Sequence, residues 1–293
     1  MDDQRLLTYP RVNLKDNTLD DNLTLSCSLD GGFVCSTPKE DLGVLDSLPF
    51  ELLQALFVLL DLRSLANLRM VNRRGSLMVD SVPQYKSITT HARFALDGAL
   101  RIETARWITC ENLFRTLCTA ECEMCDDFGG YIYLVTCKRV CFLCLCENET
   151  YLPYDLTARK FNTVLKMLDN LPYMRSLPGT YSPNEKKSRK RLRLYDRESV
   201  EHCSSGVAIK QIEQMEQIAF DGKSGNMIRF MAIVQAPALN PNTRETESGF
   251  HCIGCQKSYC QRPRHFRRRF SKSSFALHLQ ECGPIRDGKD QDR

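Results

Sequence analysis

The chain has 293 residues, 42% of them apolar and 26% charged, with a net charge of +4. That length allows one large domain or two small ones, and the apolar share permits a core. The modest charge excludes a polycation throughout, and the longest apolar run, Leu52 to Leu60, falls far short of the ~20 residues that span a bilayer. No secretory leader is read behind Met1-Asp-Asp-Gln-Arg. A soluble chain of the cytoplasm or nucleus is expected, so its 15 cysteines point to metal rather than to disulfides.

Residues 1–44 hold eight acids against four bases and little periodic apolar content. They read as a disordered acidic arm, with Cys27 and Cys35 as free thiols. The first strong periodicity follows. Pro49, Leu52, Leu53, Leu56, Phe57 and Leu60 recur at spacings of three and four, which is one face of a helix. Pro49 suits a first turn. Asp61 or Ser64 can cap a second helix carrying Leu65, Leu68 and Val71. Arg73 to Val82 reads as a third piece, closed by Pro83. A unit this small cannot bury all its leucine, so some apolar surface should face a partner.

Leu48-Pro49, Glu51-Leu52-Leu53, Leu60-Asp61-Leu62, Ser64-Leu65, Leu68-Arg69 and Val71-Asn72-Arg73 stand in the order and spacing of the F-box, which residues 45–88 resemble. The resemblance implies docking on the Skp-type linker of a cullin-RING ubiquitin ligase. It makes Leu48, Pro49, Leu52, Leu53, Leu56, Leu60, Leu65, Leu68 and Val71 the expected partner-binding residues.

Residues 89–175 begin with helical patterns, Ala92 to Trp107 and Glu111 to Cys118, with Trp107 expected in the core. Two Cys-x-x-Cys pairs follow, Cys122/Cys125 and Cys141/Cys144. Each forms a tight turn offering two thiolates to one tetrahedral ion. Between them Phe128-Gly-Gly-Tyr-Ile-Tyr-Leu-Val-Thr136 fits a strand or hairpin, with the glycines as its turn. Turn, hairpin, second pair and helix would make a treble-clef or ribbon-like zinc site. Cys137 and Cys146 are alternate ligands. Tyr151 to Leu171 continues at helical spacing.

Residues 176–200 read as a basic linker, with six bases between Lys186 and Arg193. In 201–283 an amphipathic helix over 207–220 and a strand over 227–234 precede Cys252-Ile-Gly-Cys255 and His278-Leu-Gln-Glu-Cys282. Cys252, Cys255, His278 and Cys282 have the types and spacing of a second zinc site, since a spacing of four puts His278 and Cys282 on one helical face. His251, Cys260 and His265 are alternates. The insert Lys257–Lys272 carries seven bases and no acid and is expected to stay at the surface. Residues 284–293 read as a disordered tail.

The order of F-box-like segment, cysteine knuckle and terminal finger-like site resembles a group of F-box proteins of filamentous fungi. The expected fold is α+β: a three-helix F-box-like segment, then a small-core α+β region with zinc knuckles. The expected function is a substrate-recruiting ligase subunit with two structural zinc ions, no catalysis, and a protein substrate left open. No Ser-His-Asp set, P-loop or dinucleotide fingerprint is present. The alternative is a zinc-dependent nucleic-acid binder using 186–193 and 257–272.

Overall fold

The computed structural model describes residues 8–9, 16–23, 41–155, 170–183, 185–203, 226–257, 264–282, 285–286 and 289–290. It is a mixed helix and sheet fold, α+β as expected. The predicted helices over 207–220 and most of 151–171, and the thiols Cys27 and Cys35, lie outside the described residues.

The helices come first. α1 (Phe50–Leu59), α2 (Leu62–Val71) and α3 (Arg73–Asp80) occupy most of residues 45–88. Asp61 caps α2 by accepting from the Ser64 amide at 2.9 Å, and Asn72 caps α3 by accepting from the Gly75 amide at 2.8 Å. Such caps satisfy amides that a helix start leaves without partners. Pro49 stands just before α1, and its carbonyl accepts from Leu52 and Leu53. Pro83 opens α4 (Pro83–His91) instead of only closing the third piece; α5 (Arg93–Arg101) and α6 (Cys110–Cys118) follow. Leu62 donates to the Ile108 carbonyl and Cys110 to that of Leu60, so the first helices are bonded to the region behind them.

Leu53, Phe57, Leu62 and Leu65 are buried. Leu53 and Leu65, expected at a partner surface, therefore face the core, and Leu68 is partly buried against it. Leu48, Leu52, Leu56, Leu60 and Val71 remain exposed.

Strands organise the second half. β1 is Thr8–Tyr9, and β2 (Tyr131–Tyr133) pairs with β3 (Lys138–Val140) in a hairpin of which only the first strand lies in the expected run Phe128–Thr136. The Gly129-Gly130 pair is not its turn. A Cβ on Gly129 would lie 2.5 Å from Cγ of Arg139, and one on Gly130 2.5 Å from Nη1 of Arg269. The glycines let two arginines press on the chain. α7 (Phe142–Glu147) follows the hairpin.

The supposed basic linker is folded. β4 (Tyr154–Asp155), β8 (Arg193–Tyr195) and β5 (Tyr173–Arg175) pair in that order. β6 (Gly179–Tyr181) and β7 (Lys186–Ser188) form a hairpin, and Tyr181, Leu194 and Tyr195 are buried. α8 is Arg197–Cys203. In the predicted strand 227–234, Ile228–Met231 is a short helix, α9, and only Ile233–Gln235 is extended, as β9.

β9 joins β2 to give the sheet order β3-β2-β9, so residues 131–140 and 233–235 share one sheet. The acidic arm is not wholly free either. Leu19 is buried and donates to the Ile233 carbonyl at 3.1 Å, while Asn22 exchanges two 2.8 Å bonds with Thr180. One core runs from Leu19 to Leu239 across the expected boundaries.

β10 (Ala238–Leu239) pairs with β11 (Thr246–Glu247), and β12 (His251–Cys252) pairs with β1. α10 (Ile253–Lys257) and α11 (Lys272–Cys282) build a smaller core from Cys252, Cys255, Phe270 and Phe275. In the expected tail, β13 (Ile285–Arg286) pairs with β14 (Lys289–Asp290). No described helix is long and apolar enough to cross a membrane.

Candidate metal centres

The first centre is built by local turns. The Cys122 amide donates to the Asp127 carbonyl at 2.7 Å, and the Asp126 amide returns to the Cys122 carbonyl at 3.1 Å. Asp126, at φ +59°, reverses the chain. The Glu123 amide donates to the Arg139 carbonyl, fastening this knuckle to β3. Cys141 caps α7: its Sγ accepts from the Cys144 amide at 3.3 Å. Cys122, Cys125, Cys141 and Cys144 thus bring four sulfurs within 4.8 Å of one another.

The spacing fits an ion. Around a tetrahedral centre with bonds of ~2.3 Å, sulfurs lie about 3.8 Å apart; Cys125 and Cys141 are 3.7 Å apart. Thiols of Cys141 and Cys144 donate to Cys122 and hold it well below a thiol's ordinary pKa. Donation to Cys122 pushes Cys141 up and Cys144 up to about 12, and burial pushes Cys125 up. A divalent ion held by the four sulfurs would displace their protons.

Cys137 and Cys146 stand apart. Cys137 lies against the Thr116 hydroxyl at 3.7 Å, and burial pushes it up to about 12 and Cys146 up to about 11. Neither joins the cluster.

The second centre joins β12, α10 and α11. Sulfurs of Cys252 and Cys255 and a ring nitrogen of His278 lie within 4.8 Å of one another, and Cys255 Sγ is 3.3 Å from His278 Nε2. Donation from Cys255 lowers Cys252 to about 5, against the opposing effect of burial. Phe270 stacks on the His278 ring at 4.4 Å and fixes its plane. Cys282 ends α11 one turn past His278; its side chain lies outside the described residues, as does Cys260. His265 is not in the cluster. Neither is His251, where burial pushes the imidazole down to about 4. That ring is neutral near pH 7, so Nδ1–H donates to the Arg268 carbonyl at 3.0 Å.

The described part of the basic insert, residues 264–272, does not stand free at the surface. Arg267 pairs with Asp16, which also accepts from the Tyr131 hydroxyl at 2.6 Å, and its guanidinium lies 3.6 Å over the Phe142 ring. Arg268 pairs with Asp127 at 2.6 Å. Arg269 sits 5.2 Å over the Tyr131 ring. The strip joins the second centre to the first.

Two buried arginines were invisible as site residues. Arg139 donates to the carbonyls of Thr116, Leu117, Gly129, Ala236 and Pro237. It sits at the negative end of α6 and holds the knuckle to the end of β9. Burial pushes it down to about 10. Arg229 donates to the carbonyls of Leu145 and Asn148 at the end of α7. A base inside the Cys137–Cys141 spacer was the one available hint.

Comparison with family models, with curated proteins and with solved structures gave no match. The geometry alone defines the class: an α+β chain with two Cys/His clusters able to hold metal ions.

Proposed function

We propose that this chain is a non-catalytic, zinc-stabilised adaptor that recruits a protein substrate to a Skp-cullin-F-box type ubiquitin ligase. The observation that carries the reading is the outer face of α1. Leu52, Leu56 and Leu59 are 54%, 47% and 67% exposed, while Leu53 and Phe57 on the same helix are buried. Leu48, Pro49, Phe50 and Leu60 extend this apolar surface at its ends. Packing does not explain exposed leucines at that density, and a patch of this kind marks a partner site. The resemblance of residues 45–88 to the F-box implies the Skp-type linker, with cullin behind it, as the partner.

Zinc suits both ligand sets, four cysteines in the first and two cysteines with a histidine in the second, neither with a carboxylate. The roles are structural. Each ion would tie elements too short to hold themselves. Co-purification of tagged chain with linker and cullin tests the reading. Leu48→Ala with Pro49→Ala should remove both; unchanged recovery overturns it.

A second reading keeps one supporting observation. Lys186, Lys187, Arg189, Lys190 and Arg191 are exposed on and after β7, as a phosphate-binding strip would be. It loses Arg267 and Arg268, which pair with the chain's own acids. Steep loss of nucleic-acid affinity with salt is its signature.

A further inference from the structure

A cleft of about 350 Å³ lies where β9, the β2 entry, α5 and the second metal module meet. Its walls include Gln235 and Pro237, Gly130, Phe94, Arg269 and Asp20. Two features give it chemistry, and they are independent of each other.

The first is a sheet edge that Leu19 covers at Ile233 and that is open at Gln235. β9 is the outer strand in the order β3-β2-β9. Leu134 donates to the Ala232 carbonyl and Ala236 to that of Gly130, so the pairs 134/232 and 130/236 are the hydrogen-bonded ones. The pairing Tyr131↔Gln235 lies between them in register. In an antiparallel ladder such alternate residues turn their N–H and C=O to the opposite edge. Ile233 confirms the direction, because its carbonyl accepts from Leu19 on that outer side. Two residues on, the Gln235 amide and carbonyl face the same way, and no backbone partner for them is found among the described residues. Its side-chain nitrogen also has no acceptor there.

The second feature is an arginine with no ion pair among the described residues. Arg267 and Arg268 each pair with a carboxylate. Arg269 pairs with none among the described residues; it donates only to the Ser248 carbonyl at 3.3 Å and lies over Tyr131. Asp20 stands in the same cleft, and the Thr18 hydroxyl donates to its carboxylate. Phe94, 40% exposed, adds an apolar wall.

We propose that this cleft receives an extended acidic peptide as an added strand on β9. The peptide's carbonyl accepts from the Gln235 amide, its amide donates to the Gln235 carbonyl, and its carboxylate meets Arg269. Main-chain bonds of this kind give affinity, and the side-chain contact gives selectivity. The proposal rests on the recruiting role only for its meaning, as the seat of a substrate segment. The α1 face is not involved, so failure here leaves linker docking standing, and the reverse.

The test uses the purified, metal-loaded full chain without linker. The probes are labelled octapeptides of alternating Thr and Val, with one Glu walked along the sequence, and the same set with Lys in its place. The best Glu peptide should bind at least about tenfold tighter than its Lys counterpart, the ~1.4 kcal/mol that a charge-assisted contact supplies. Arg269→Gln should bring that ratio below about two. Amide exchange at Gln235 should slow severalfold in the complex. Should Arg269→Gln lose metal or melt early, Gln235→Pro replaces it: it removes the outward N–H, which the ladder to β2 does not use, together with the side-chain amide, and should weaken all peptides alike. Equal binding of Glu and Lys peptides, or an unchanged Gln235 amide, overturns the proposal. So does binding seen only after residues 24–40 are deleted, because the occupant is then the chain's own segment.

Discussion

Arg268 Nη2 lies 2.6 Å from Asp127 Oδ1, and that ion pair connects the two metal centres. The Asp127 carbonyl holds the Cys122 amide, and two residues past Arg268 the Phe270 ring stacks on His278. Ordering the second centre therefore orders a residue that steadies the first. Asp127→Asn should speed chelator-driven metal loss from the Cys122 centre a few-fold, the effect expected of a partly exposed pair of about 0.5–1 kcal/mol. Cys252→Ser should produce a similar acceleration at the same centre. Release rates there that ignore both changes would show two independent modules.

Ligand identity is tested by counting metal. Wild type should carry about two equivalents of zinc, one per cluster. Cys122→Ser, Cys252→Ser, His278→Ala and Cys282→Ser should each lose about one, whereas His251→Ala and His265→Ala should keep both. A folded, metal-free wild type contradicts both centres. Retention in His278→Ala moves the fourth ligand to another residue.

Arg139 is the internal fastening most exposed to mutation. Arg139→Met keeps the length of the stem but takes the arginine's bonds from the carbonyls of Leu117, Gly129, Ala236 and Pro237, while that of Thr116 keeps the Thr119 amide. Buried polar groups without partners cost about 1–3 kcal/mol each where water cannot reach them. A loss of at least ~3 kcal/mol in denaturant unfolding is expected, with metal still bound in the surviving folded fraction. A change under ~1 kcal/mol would mean that the carbonyls find other donors.

The first metal centre was legible because its determinants are local. Cys-x-x-Cys spacing sets a turn, and the strand-like run between the pairs sets a hairpin. The strip Arg267–Arg269 was misread because its partners are remote: Arg267 meets Asp16 across 251 positions. A run of bases without nearby acids looks solvated when only neighbours in sequence are in view. The same limit hid residues 16–23 and the strands around Tyr181 and Leu194, whose burial comes from distant elements. The leucine period of α1 was readable, yet periodicity alone does not say which side meets the core. That choice separates Leu53 and Leu65, which pack inward, from Leu52 and Leu56.

This separation also gives the test of the leucine face. Leu53→Ala should cost about 2–5 kcal/mol of stability, as large-to-small changes in a core do, because its side chain is buried. Leu52→Asp with Leu56→Asp should shift stability by no more than ~0.5 kcal/mol each, as surface changes do. Equal destabilisation by both sets would place the outer leucines in packing rather than in docking.

The most direct measurement is the affinity of the purified chain for a purified Skp-type linker, wild type against the Leu52→Asp and Leu56→Asp double variant, with melting and metal content recorded for each. The account predicts a stable complex with wild type, and a loss of at least about a hundredfold, or ~2.7 kcal/mol, in a variant that keeps its fold and both metals. Wild type that does not bind the linker, or a folded variant that binds it as well as wild type, contradicts the account.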